Sequence, residues 1–356
     1  MRKHNFSPGP GILPVSVLKQ ASEAVLDYKG SGMGLIEMSH RSTDFIEIME
    51  EARQRVKQLF NLGDDYEVLF LQGGASLQFT MIPYNLLDEN ETAAYLETGQ
   101  WAKGAIKEAR LFGNVDVVAS SAENGFKNIP KDFVVPGNAK YFHITTNNTI
   151  YGTEMFEFPK TDVPLIADMS SDIFSRPVDG NQFSLIYAGA QKNMGPSGTT
   201  MVVVKKDILG KVKRKIPSML NYAIHIEKES MYNTPATFAI YVCLLTLRWI
   251  EELGGLAEME KINIAKSSLL YQEIDNNPLF YGYTVLEDRS RMNVTFMLHN
   301  QDLEKEFVQL CKERNISGIK GHRTLGGFRA SLYNALPMES VEALVGAMQE
   351  FAKIKG

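Results

Sequence analysis

The chain has 356 residues, 44% hydrophobic and 22% charged, with 42 acidic against 37 basic side chains and a formal net charge of −5. That length exceeds one ordinary hydrophobic core and predicts two domains, in a composition typical of soluble globular proteins. The charge excludes a general nucleic-acid binder, which needs an excess basic field, so affinity for small anions must come from locally placed arginines and helix ends.

After a stiff Pro/Gly-rich start, "SVLKQASEAVLDY" (Ser16–Tyr28) has helical spacing, and so does "DFIEIMEEARQRVKQLFNL" (Asp44–Leu62). A strand, "YEVLFLQ" (Tyr66–Gln72), then meets "GGAS" and a helix beginning near Leu77. Strands and helices alternate from here: "TAAYLE" precedes the helix "WAKGAIKEARLFG", and "KYFHITTNN" precedes a loop. "VPLIADMSS", "FSLIYAGAQK" and "TTMVVVKK" follow as three further strands. Continuous apolar runs of this length, alternating with helices, predict an α/β sheet covered on both faces. A long helical stretch from Pro235 to Ile274, broken only by glycines at Gly254, changes the pattern. The order is then strand ("MNVTFML"), helix ("DLEKEFVQLCKER"), a Gly-rich strand pair ("ISGIKGHRTLGGFRASLYN") and a final helix ("MESVEALVGAMQEFAK"). That is an α+β unit of domain size.

Cys243 and Cys311 fall where helical periodicity buries them, and they are read as core residues rather than as a disulfide or metal site. The N-terminus lacks the apolar run of a signal peptide. The most apolar segment, Tyr241 to Ile250, is too short to span a bilayer and carries Arg248. A cytoplasmic protein without membrane or nucleic-acid partners is the simplest expectation.

Three features carry chemistry. "LFLQGGASLQF" sets glycines and a serine between a strand and a helix, where backbone N–H groups receive anions. It matches neither GxGxxG nor GxxxxGK[ST], so a phosphate bound there belongs to something other than those nucleotides. Asp168 ends the run "VPLIAD", the edge of an α/β sheet where ligands bind, although it could equally be a helix N-cap. Lys192 follows the small residues of "IYAGAQK". A lone lysine in such a loop is more often solvated than aimed into a pocket. One cofactor uses all three: pyridoxal phosphate needs a lysine for its Schiff base, a carboxylate for its pyridine nitrogen and an anion site for its phosphate. Trp101, at another strand-to-helix turn, could stack on the ring or simply pack.

The segments "NFSPGPGILP", "SHRS", "GGASLQF", "GQW", "NNTIYG", "IADMSSDIFSRP", "YAGAQKNMGPSG", "YNTPATFAIY" and "GHRTLGGFRAS" occur in one order along the whole chain. In these the chain resembles the phosphoserine aminotransferase family, class V enzymes of the fold-type-I pyridoxal-phosphate group. The resemblance implies a large, mostly parallel-sheet domain over 16–258, with 1–15 and 259–356 forming a smaller α+β domain. It implies that Lys192 carries the cofactor, Asp168 pairs with the pyridine nitrogen, Trp101 covers the ring and Thr149 meets its polar edge. Gln191 joins the cofactor shell, Ala75 and Ser76 contact the phosphate, and Asn233 and Thr234 complete the phosphate cup from the second subunit of a homodimer. Arg329 would hold the substrate α-carboxylate. The pairs His40–Arg41 and His322–Arg323 would hold the distal phosphate of phosphoserine or the distal carboxylate of glutamate, as paired guanidinium groups do.

The activity so implied converts 3-phosphohydroxypyruvate and glutamate to O-phosphoserine and 2-oxoglutarate by ping-pong transamination in serine biosynthesis. Bacterial-type members can also act on a four-carbon analogue leading towards pyridoxine, a point left open here. Among rivals, a cysteine desulfurase needs a mobile cysteine, an alanine–glyoxylate or serine-type aminotransferase needs fewer anion-binding groups, and a binding module needs no lysine.

Overall fold

The computed structural model describes residues 2–356. The chain runs β1 (His4–Asn5), α1 (Val15–Leu26), α2 (Thr43–Leu59), β2 (Tyr66–Leu71), α3 (Gly74–Leu86), β3 (Thr92–Glu97), α4 (Gln100–Ala109), β4 (Asn114–Ser120), β5 (Phe142–Thr145), β6 (Leu165–Asp168), β7 (Leu185–Gly189) and β8 (Thr200–Lys205). It continues through α5 (Tyr222–Glu227), α6 (Thr237–Glu252), α7 (Leu256–Asn276), β9 (Phe280–Gly282), β10 (Asn293–Leu298), α8 (Glu304–Glu313), β11 (Ile316–Ser317), β12 (Phe328–Ser331) and α9 (Met338–Lys355).

Seven strands form the main sheet in the order β2-β8-β7-β6-β5-β3-β4. β8 alone runs antiparallel to its neighbours, so β2 and the others share one direction. Successive side chains on a strand face opposite ways, which is why the runs had to be apolar throughout. On β8, Met201 and Val203 join the core beneath α1, α2 and α6, while Val202 and Val204 join the core beneath α3 and α4. The shared direction brings the carboxyl ends of β2, β3, β5, β6 and β7 to one edge of the sheet. The loops leaving that edge carry the residues singled out above.

A second core gathers around β10, which pairs antiparallel with β9 and β12. Phe280, Phe328 and Phe351 surround Phe307, at centroid distances of 5.0, 5.1 and 5.2 Å, and Phe296 packs on Phe280 and Phe328. α7 connects the two cores: Leu256 and Met259 belong to the first, Leu270 and Ile274 to the second. Phe6 and Ile12 of the N-terminal segment also pack into the second core. Both cysteines are buried, Cys243 in the first core and Cys311 in the second.

The helices and apolar strands expected from periodicity lie where it puts them. The short elements β1, α5 and β9 lie outside those expectations, and three further differences have a physical reason. The first is β4, an edge strand with mostly half-exposed side chains, which lacks the apolar signature that marks the others. The second is α3, which begins at Gly74 rather than near Leu77, because Gly73 takes a left-handed φ of +94° that starts the helix early. The third corrects the Gly-rich strand pair. Ile316–Ser317 pairs in parallel with His4–Asn5, and Phe328–Ser331 pairs with β10. Only a single bridge, Lys320 to Phe328, joins the two halves. Positive φ values at Gly318, Gly326 and Gly327 (78°, 78° and 55°) turn the intervening backbone out of the extended conformation that a ladder requires.

Phe307 is fully buried. Phe307→Ala should therefore destabilise the second core by about 3–5 kcal/mol, the usual cost of emptying a phenylalanine site. Denaturant unfolding of the cofactor-free protein checks this.

Candidate active site

Five loops meet at the carboxyl edge of the main sheet. The first, after β2, is the turn Gly73–Gly74. A Cβ at Gly73 would sit 2.5 Å from Leu77, so glycine is needed both for φ and for space. No side chain caps the start of α3. The first-turn N–H groups of Gly74, half-buried Ala75 and exposed Ser76 are thus left for an anion.

Lys192 follows β7. The residue keeps some surface, yet its amine is desolvated, and burial pushes its pKa down to about 8 against the opposing attraction of Asp168. Arg329 adds a further downward push. The amine donates to Thr149 Oγ1 at 2.8 Å, and it lies 5.9 Å from the Trp101 ring centroid. This is an amine aimed inward, not a solvated loop lysine. Trp101, 41% exposed on the first turn of α4, is no core residue, so its ring is available to cover a ligand.

Asp168 is the last residue of β6 and is buried. It caps no helix; its Oδ1 accepts the Ser170 N–H at 2.9 Å. Burial raises its pKa, while Ser170, Lys192 and Tyr187 pull it back down. Arg329, on β12 of the second core, is also buried and donates from Nη1 to the Thr149 carbonyl at 3.0 Å. Thr149 thus ties Lys192 to Arg329. His322 and Arg323 stand on the glycine loop before β12, and the His322 pKa is lowered by burial and by the charges of Arg329 and Arg323. Two guanidinium groups and a largely neutral imidazole thus lie close together here.

The remaining residues lie less centrally. Gln191 folds back near Gly189, and its carbonyl accepts the Gly11 N–H at 2.7 Å. Asn233 donates to Gln72 Oε1 at 2.9 Å, beside the glycine turn of its own chain, and Thr234 follows it. His40 and Arg41 are not brought to Lys192 by any hydrogen bond or ion pair among the described residues. They sit on the loop before α2, His40 half-buried and Arg41 exposed.

Several neighbours of Lys192 escaped the sequence reading. Asn193 donates to the Ser171 carbonyl at 3.1 Å and accepts the Asn334 N–H at 3.0 Å, locking the lysine's own loop. The segment through Gly9 and Gly11 crosses over Lys192. A Cβ on Gly11 would lie 2.8 Å from the Lys192 carbonyl and 2.9 Å from the Tyr333 ring. Tyr187 looked merely apolar in "LIYAG". Only "SPGPG", with its density of turn residues, signalled a special backbone.

The residues present fit pyridoxal phosphate. Thr98 Oγ1, Thr145 Oγ1, Asn148 Oδ1 and Arg329 Nε, on the segments that meet here, are buried without a partner among the described residues. Buried polar atoms are normally bonded, so a polar ligand belongs among them. Lys192, Asp168 and the uncapped start of α3 are the amine, carboxylate and free N–H groups that would hold it. A separate cavity of about 890 Å3 lies between the 129–137 and 154–163 loops, and it is lined by solvated pairs such as Lys131–Glu287 rather than by a desolvated amine.

Capture of an aldehyde requires the neutral amine. The pKa of Lys192 is depressed to about 8, so its free-amine fraction rises with pH, reaches half there and is nearly complete about one to two pH units higher. The rate at which cofactor-free protein captures pyridoxal phosphate should climb with pH, with its midpoint at about 8. A midpoint at the ordinary lysine value of about 10 would contradict the desolvated amine.

Comparison with known proteins agrees with this geometry. The family model described as aminotransferase class-V matches residues 3–344. A phosphoserine aminotransferase of Flavobacterium johnsoniae is 58% identical, with 98% of each chain covered. The structure of phosphoserine aminotransferase from Bacillus circulans subsp. alkalophilus superposes with a TM-score of 0.97 at 46% identity, covering 100% of this chain and 99% of that one. A pyridoxal-phosphate-bound phosphoserine aminotransferase from Trichomonas vaginalis gives a TM-score of 0.93 at 40% identity, covering 98% of this chain and 100% of that one. No helix among the described residues is long and apolar enough to cross a membrane. The chain belongs to the class-V aminotransferases, pyridoxal-phosphate-dependent transaminases of fold type I.

Proposed function

We propose that this chain is a phosphoserine aminotransferase, moving an amino group from L-glutamate to 3-phosphohydroxypyruvate and releasing O-phospho-L-serine and 2-oxoglutarate in the cytoplasm. The observation that carries this reading is Arg329, whose charge acts on the Lys192 amine, with His322 and Arg323 close to it on the loop before β12. Both amino acids carry an α-carboxylate and a second anionic group, and guanidinium groups bind such oxygens in pairs. An aminotransferase for alanine and glyoxylate would have no use for the outer pair.

Bound pyridoxal phosphate supplies an aldehyde that condenses with amines and a ring that withdraws electrons from the α-carbon. This chain's residues do the rest. Lys192, partly neutral near pH 7 through desolvation, takes the α-proton as general base and returns it to the adjoining carbon as general acid. Thr149 Oγ1 accepts from the amine and orients it. Asp168 holds a proton on the ring nitrogen, and Trp101 covers the ring face. Arg329, anchored on the Thr149 carbonyl, binds the α-carboxylate. Arg323 and His322 bind the distal phosphate or carboxylate, so one subsite serves both half-reactions. Residues 16–258 supply the cofactor side of this cleft, and 1–15 with 259–356 supply Arg329 and the anion loop.

The active enzyme is a homodimer in this reading, with Asn233, Thr234, His40 and Arg41 serving the partner's site. Support comes from the 33–41 loop, where Arg41, exposed and without an ion-pair partner among the described residues, adjoins exposed Met33 and Ile36, 45% and 57% accessible. Apolar exposure beside unpartnered charge suits a subunit contact.

Two tests follow. Arg329→Leu should lower kcat/KM for every amino acid by about 10- to 100-fold, the value of one charge-assisted hydrogen-bonded contact. Arg323→Leu should lower it for phosphoserine and glutamate while sparing alanine; equal losses for all three would remove the two-subsite arrangement. For the dimer, Thr234→Asp and Lys192→Ala should each inactivate a homodimer. Mixed subunits that exchange should regain up to about half the wild-type activity per heterodimer, because one site then has both wild-type residues. A mixture that stays inactive, with exchange verified by mass, would return Thr234 to its own chain.

A further inference from the structure

Asp168 on β6 and Tyr187 on β7 are register partners, so their side chains emerge side by side on one face of the sheet. Tyr187 is fully buried, and its Oη lies 2.9 Å from Nε2 of His143 on β5. His143 is 1% exposed, with the Tyr95 ring stacked on it at 5.0 Å and 25°. Its other nitrogen, Nδ1, has no partner among the described residues. Burial pushes the imidazole pKa down to about 3, so the ring is neutral and carries one proton.

That proton has two places. On Nδ1 the buried N–H would face only the residue's own backbone, with no acceptor in hydrogen-bonding geometry, and would forfeit much of the desolvation of a donor. Nε2 would then have to accept from Tyr187, turning the hydroxyl proton away from the carboxylate. On Nε2 the proton is bonded to Tyr187 Oη, and only a weakly solvated lone pair on Nδ1 is left bare. With Oη already accepting from His143, the hydroxyl proton is free to turn towards Asp168, its register partner on the same face of the sheet. Tyr187 does lower the pKa of that carboxyl.

We propose that His143 and Tyr187 are positioning residues: the Nε2–H tautomer of His143 aims the Tyr187 hydroxyl proton at Asp168 and keeps that carboxylate ionised and oriented. In the proposed mechanism both act through Asp168 and not on the substrate. The relay rests on the reading of Asp168 as the partner of the cofactor's ring nitrogen. It gives the buried His143 and Tyr187, on parts of the sheet neighbouring Asp168, a part in the site.

The experiment has two arms. In cofactor-free protein labelled with 15N-histidine, the ring-nitrogen shifts of His143, assigned by their loss in His143→Leu, should show Nε2 protonated and Nδ1 bare. A protonated Nδ1 overturns the relay. In the second arm, Tyr187→Phe should weaken pyridoxal phosphate binding by about 10- to 100-fold, the value of one hydrogen bond to a charged group, without lowering the melting temperature of cofactor-free protein. His143→Leu should match that loss, His143→Gln, which keeps an N–H donor, should restore most of it, and the double variant should be no worse than Tyr187→Phe. Unchanged binding in Tyr187→Phe, or additive losses in the double variant, overturns the relay. Asp168→Asn is measured alongside. If it leaves binding and turnover intact, the reading of Asp168 itself fails; if it impairs them while Tyr187→Phe does not, only the relay fails. Should the variants not fold, the tautomer measurement still decides.

Discussion

The structure depends on holding one lysine amine out of water at the edge of a sheet. A desolvated ammonium is unfavourable, and the protein answers by making the neutral form accessible while keeping a carboxylate close enough to retain the charged form when needed. Every element around Lys192 serves that compromise. β6 ends on Asp168, β7 ends on the small residues that let the chain turn, and the loop after β5 offers the Thr149 hydroxyl as acceptor. Arg329 arrives from the second core and completes a site that no single segment could build.

A second buried lysine shows what separates a reactive amine from a structural one. Lys266 on α7 is fully buried, and desolvation pushes its pKa down to about 7. Its amine donates to the carbonyls of Leu332 and Tyr333 at 2.9 Å each and of Asn334 at 3.3 Å. All three N–H groups are committed, and no space adjoins them for a substrate. The segment they hold carries Tyr333, which donates to the Pro8 carbonyl at 2.7 Å, and Asn334, which fixes Asn193. Lys266 thereby holds in place the strap that packs on the Lys192 loop. A depressed pKa alone does not separate the two lysines; Lys192 keeps some surface and has one acceptor, whereas Lys266 is fully buried with three.

Much of this was legible in the sequence, and the reasons are physical. Strands buried on both faces must be apolar throughout, so β2, β3 and β5 to β8 stood out, whereas the half-exposed edge strand β4 did not. Functional side chains at strand ends interrupt an apolar run, and Asp168 and Lys192 were visible for that reason. Tyr187 and His143 lie inside such runs, where a polar atom on a large ring reads as packing. The pairing of β11 with β1 is a contact across more than three hundred residues, and no local pattern encodes it. The glycines that break the expected strand pair were plain in the sequence, but their φ values were not. The placement of His40, Arg41 and Thr234 stayed beyond sequence periodicity for another reason: their proposed partners lie on a second copy of the chain.

Reductive trapping most directly tests whether Lys192 is the amine around which the site is built. Protein incubated with pyridoxal phosphate is reduced with borohydride and digested, and the tagged peptide is located by mass. The tag should fall on Lys192, in the peptide containing "YAGAQK", and should vanish in Lys192→Ala. A tag on Lys266, or one that survives Lys192→Ala at full yield, would contradict it.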